Sequence, residues 1–147
     1  MTRPIQFFRE EIPFILKDKI HIRRWLDSVI LEEKKKPWYI NIILTNDEYL
    51  FELNKTYLQH ETFTDILTFP YQEEDKNIIS GDIFISINRV KENASIFKQD
   101  FEMELRRVMV HGVLHLIGYN DKGKKEKELM TKKEDYYLEK FNMLEQK

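Results

Sequence analysis

The stretch from Phe101 to Ile117 constrains this chain more than any other. It is long and apolar enough to be a helix that other elements must cover, yet it carries His111 and His115 among Val110, Val113, Leu114 and Leu116. Asp100 stands before it as an opener. Gly118 follows as a stop, because glycine enters left-handed backbone at little cost. Residues four apart lie one turn above each other on a shared helix face, so both imidazoles can aim at one point. A lone histidine on an apolar helix is ordinarily packed core, but burying two imidazoles there without partners is costly. The pair reads as metal ligands.

Beyond the Gly118 bend, Asp121 can turn back as a third ligand. The chain has no cysteine, so any metal must be held by imidazole and carboxylate. Three protein ligands with a vacant position define a catalytic site, in which the cation brings the pKa of its bound water to about 7. This donor set points to one divalent ion, zinc first. The spacing copies the long zinc-protease pattern His-Glu-x-x-His-x-x-Gly-x-x-His, with two differences. Asp121 replaces the last histidine, and Gly112 stands where a protease carries its general base. Peptide hydrolysis thereby loses its proton acceptor. Two histidines and a carboxylate also form the facial triad of non-haem iron oxygenases. That triad normally sits on a β-barrel, whereas this pair rides a helix.

The rest of the sequence reads as a single α+β domain over residues 1–147. Ile5 to Arg9 makes a short edge strand. Asp18 caps a helix towards Glu33 with an apolar stripe of Ile22, Leu26, Val29 and Ile30. Lys34-Lys35-Lys36-Pro37 closes it, and Trp38 to Leu44 is a β-branched, aromatic strand. Thr45 and Glu48 form a capping box for a helix through Tyr57. Strands follow over Asp65 to Tyr71 and Gly81 to Ser86, and Ser86 caps a helix through Phe97. A last amphipathic helix, Lys124 to Leu144, offers Leu129, Met130, Tyr136, Tyr137, Phe141 and Leu144 for packing. The expected architecture is a small mixed sheet of three or four strands with helices on one face and the metal site on a central helix.

The segment His111-Gly112-Val113-Leu114-His115-Leu116-Ile117-Gly118-Tyr119 matches, at each specified position, the signature His-Gly-x-Leu-His-Leu-x-Gly-Tyr-Asp-His. Thr64-Asp65-Ile66-Leu67-Thr68-Phe69-Pro70, Gly81-Asp82-Ile83 and Leu53-Asn54 through Tyr57 resemble further motifs of the same set, in order over roughly residues 40 to 121. On these residues the chain resembles the YbeY family, bacterial metal-dependent endoribonucleases of rRNA maturation. Two departures matter. Asp121, after Asn120, takes the place of the family's third histidine. A carboxylate can replace imidazole on zinc, but it leaves the metal a weaker Lewis acid and shifts selectivity towards harder ions. Leu58 stands where the family usually places an arginine after Tyr57, and Arg106 or Arg107, about one turn before His111, is the candidate to substitute for it.

The resemblance implies a single-strand-specific endoribonuclease acting on the 3′ region of small-subunit rRNA and in ribosome quality control. Its partners would be rRNA and the small subunit or its assembly factors. The alternative is a non-catalytic ribosome-assembly factor with a structural metal. Net charge is −2, so RNA contact must come from local patches. From Lys122 to Lys133 six lysines face two glutamates beside the site. That run serves phosphate contact or simply a solvated helix face. Asp65 is expected to orient a ligand imidazole, or else to enter its strand as a turn residue. Thr64 and His60 are candidate substrate contacts, and His21 reads as structural. MTRPIQFFREEIPF has no apolar signal region of about 7–15 residues, and nothing approaches a membrane span, so the expected location is the cytoplasm.

Overall fold

The computed structural model describes residues 3–145. In chain order the elements are β1 (Ile5–Arg9), α1 (Lys19–Glu32), β2 (Lys36–Thr45), α2 (Asp47–Leu58), β3 (Ile66–Pro70), β4 (Ile78–Ser86), α3 (Ile87–Ile96), α4 (Phe101–Ile117) and α5 (Lys124–Glu145). The sheet runs β1-β2-β4-β3. β1 pairs parallel with β2 and β2 parallel with β4, whereas β3 runs antiparallel to β4 with Leu67 opposite Phe84. This is the expected α+β domain with four strands in a mixed sheet. Among the described residues no helix is long and apolar enough to cross a membrane.

Alternation along the strands divides the core. Ile40, Ile42 and Leu44 of β2 and Ile83 and Ile85 of β4 join α1, α4 and α5 in the main cluster. Ile43, Leu67 and Phe84 point to the other face. There α2 covers them, with Tyr49 stacked on Phe84 at 6.2 Å and Tyr57 edge-on to Phe69 at 6.0 Å. The one-sided cover expected from sequence is therefore corrected. A strand reading Ile42-Ile43-Leu44 is apolar on both faces, and both must be buried.

The α1 stripe also includes Trp25, which is fully buried. Its Nε1–H donates to the Tyr137 carbonyl at 2.7 Å and its ring meets Phe141 edge-on at 5.1 Å. On α5, Met130, Tyr137 and Phe141 are buried, whereas Leu129 and Tyr136 are exposed. The side chain of Leu144 lies outside the described residues.

Two expected caps are corrected. Thr45 is buried at the end of β2 and donates to the Glu10 carbonyl at 2.8 Å, so it is not free to cap. Asn46 caps α2 instead, accepting from the Tyr49 N–H at 2.8 Å. Asp18 precedes α1 in left-handed backbone with no side-chain cap bond. Ser86 caps α3 as expected, accepting from the Arg89 N–H. Asp100 precedes α4 without a side-chain cap bond.

What seats α4 is Gly112. A Cβ there would lie 2.8 Å from Cδ1 of Ile66 and 2.9 Å from Cγ2 of Ile83, so the helix backbone rests directly on β3 and β4. The position that a zinc protease gives to its base is thus spent on packing. Gly112→Val is expected to destabilise the protein by about 3 kcal/mol through overpacking of this contact, measured as a lower urea midpoint at unchanged slope.

Candidate metal centre

The turn after α4 brings three donors together. Gly118, at φ 128°, ends the helix, and its N–H and that of Tyr119 both reach back to the Leu114 carbonyl at 3.1 and 3.0 Å. The Tyr119 hydroxyl donates to Glu33 at 2.6 Å, tying the turn to the end of α1. Glu33 also accepts from Lys133 at 2.9 Å and from the Tyr137 hydroxyl, both on α5. So held, Asp121 faces the histidines. Its Oδ2 lies 3.5 Å from Nε2 of His111 and its Oδ1 3.6 Å from Nε2 of His115. One donor atom from each residue falls within 4.8 Å of the others. Two donors bonded to one tetrahedral zinc at about 2.0–2.1 Å would lie about 3.3 Å apart. The donor set fits a single divalent ion.

The two imidazoles are not equivalent. Nδ1 of His111 lies 2.7 Å from Oε2 of Glu134, a nearly buried carboxylate on α5. The other Glu134 oxygen accepts from Arg107 at 2.9 Å, and Arg107 also donates to Asp135 at 2.6 Å. A carboxylate on Nδ1 leaves Nε2 as the ligating atom. Burial opposes the His111 cation, but the bond to Glu134 and the surrounding negative charge overcome it and raise the pKa. His115 moves the other way, lowered by burial and by the neighbouring His111.

These groups form one side of an open cleft of about 560 Å³. Leu58, Thr64, Asp65, Ile66 and Thr68 form the facing wall. Burial raises the pKa of Asp65 against the pull of His111, and burial likewise raises that of Glu104, deeper in the cleft. The part foreseen for Asp65, orienting a ligand imidazole, falls to Glu134. Position along α5 was the available signal, since Glu134 stands in line with Met130, Tyr137 and Phe141 on the buried stripe. Of the two candidate arginines, Arg107 lines the cleft. Arg106 points away, its guanidinium 4.4 Å from the Phe141 ring centre. Thr64 lines the cleft and donates to the Ile66 carbonyl at 3.3 Å, whereas exposed His60 is not among the lining residues. His21 is exposed on α1, 3.9 Å from Asp18.

Fold and site together define a small α+β protein with a two-histidine, one-carboxylate centre built on a buried helix. Comparison with known proteins gives the family. The model described as Endoribonuclease YbeY matches residues 9–142. Endoribonuclease YbeY of Flavobacterium psychrophilum is 48% identical, over 92% of this chain and 96% of its own. Its counterpart in Cytophaga hutchinsonii is 47% identical over 91% and 93%. The solution structure of TM1509 from Thermotoga maritima superposes with a TM-score of 0.64 at 31% identity, covering 93% of this chain and 88% of that one. The chain belongs to the YbeY family.

Glu134→Gln is expected to lower the His111 pKa in chelator-treated protein, read by NMR titration of the imidazole. The folded pKa of His111 lies above the unfolded one. The stabilisation from the pair is therefore fully present below about pH 6.5 and fades as pH rises through the folded value. Denaturant midpoints of the chelator-treated protein should fall across that window and change less in the chelator-treated variant.

Proposed function

We propose that this chain is a metal-dependent, single-strand-specific endoribonuclease of the cytoplasm, acting on the 3′ region of small-subunit rRNA and in ribosome quality control. Its partners on this reading are rRNA and the small subunit or its assembly factors. One observation carries the hydrolytic part: the donor atoms of His111, His115 and Asp121 lie within 4.8 Å of one another and open on a cleft of about 560 Å³. The family match supports the substrate class.

His111, His115 and Asp121 would hold the cation, zinc by the choice of donors. When bound, the ion supplies Lewis acidity to a phosphodiester oxygen and acidifies a water. The chain's own residues do the rest. Glu134 keeps the proton of His111 on Nδ1, freeing Nε2. Arg107, fixed by Glu134 and Asp135, sets a positive charge in the cleft where developing negative charge can be met. Asp65, on the facing wall, can hold or release a proton at its carboxyl oxygens. Gly112 supplies no side chain, which removes the proton acceptor that peptide hydrolysis uses on this spacing.

Leu58 favours the second reading, a non-catalytic ribosome-assembly factor with a structural metal, because it leaves the facing wall without the cation that the family usually places there. Metal content of protein purified without chelators, paired with cleavage of a single-stranded RNA, separates the two. The expected outcome is one zinc per chain. His115→Ala should lose metal binding at least ~100-fold and lose cleavage, with helical content retained. Stoichiometric metal with no cleavage by the native protein would move the assignment to the assembly factor.

A further inference from the structure

The two sides of the cleft differ in chemistry. The α4–α5 side carries the ligands and Arg107, and the lysines of the 122–133 segment follow Asp121 in the chain. Among the described lining residues the arginine is Arg107, and the opposite wall presents Leu58, 43% exposed. Next in chain to Thr64, which lines that wall, stands Phe63 with 56% of its surface exposed. Singly exposed apolar residues are common on any protein. Phe63 differs in being held: its ring packs 4.9 Å from Phe51 of α2, and the Arg89 guanidinium of α3 sits 5.3 Å from its centre. Arg89 is itself fixed by Asp47 at 3.0 Å and Glu92 at 3.2 Å. An aromatic ring held in this way, with more than half of its surface exposed, loses little further freedom when a flat partner lands on it.

We propose that Phe63, together with the cleft-lining Leu58, forms a base-stacking subsite that takes an unpaired nucleobase of the RNA strand, while the α4–α5 side takes its phosphates. The inference rests on the endoribonuclease reading and adds to it the residue that selects single strands. A base inside a duplex has both faces covered by its neighbours and cannot lie on the Phe63 ring. An unstacked base can, and base–aromatic stacking tolerates any sequence because every base has a π-face. Leucine at position 58 fits the same role, since it offers a base apolar surface in place of charge.

The test is binding by chelator-treated protein, which separates recognition from cleavage. Fluorescence anisotropy compares a short single-stranded RNA with an abasic ribose-phosphate oligomer of equal length and charge. The native protein is expected to prefer the RNA about tenfold. Phe63→Ala should abolish that preference while leaving affinity for the abasic oligomer unchanged, and Phe63→Tyr should restore it. Circular dichroism checks that both variants fold. An unchanged preference in Phe63→Ala overturns the subsite, as does equal binding of both oligomers by the native protein. Failure of the native protein to bind either oligomer instead overturns the RNA reading, and the subsite falls with it.

Discussion

The contact on which the rest depends is the seating of α4 on the sheet at Gly112. With no side chain there, the helix backbone reaches Ile66 and Ile83 directly. Any larger residue would lift the helix, and interiors packed near crystal density do not absorb such a shift locally. Two consequences follow. The next helical position before it, His111, and the one a turn beyond, His115, are fixed in height above β3. The cleft between them and the Thr64–Thr68 segment therefore has a set width.

The second constraint is α5. It returns across α1 and α4, where Trp25 anchors to the Tyr137 carbonyl and Phe141 packs against the indole. That docking delivers Glu134 to the back of His111, and Glu134 with Asp135 holds Arg107 of α4 in the cleft. The same helix sends Lys133 and Tyr137 to Glu33, which also receives Tyr119 from the ligand-bearing turn. Burial disfavours the Glu33 charge, but these three donors hold its pKa below the ordinary value. A carboxylate at the end of α1 is thereby linked to the position of Asp121, two residues past Tyr119.

The charge of the cleft is locally organised although the chain is nearly neutral. Carboxylates at Asp65, Glu104, Asp121 and Glu134 meet two imidazoles and Arg107. Such density of acid groups is costly unless cations compensate it, and Arg107 bridges two of the chain's acids; burial, with neighbouring carboxylates adding to it, raises the Asp65 and Glu104 pKa values. A divalent ion at the three donors would relieve part of that crowding. Leu58, on the same cleft, adds no charge to that balance.

Short-range chemistry was legible from the residues alone. His111 and His115 share a face because a helix repeats every 3.6 residues, and Gly118 followed by Asp121 returns the chain because few residues accept that backbone. Strand alternation, the Ser86 cap and the apolar helices were local in the same sense. Only the tertiary structure decided that Glu134, not Asp65, orients His111, and that Arg107 enters the cleft while Arg106 stacks on Phe141. It also made Gly112 a packing residue and wrapped α2 over the second face. Each of these is a contact between segments far apart in sequence, set by how whole elements pack, and no local period or motif carries that information.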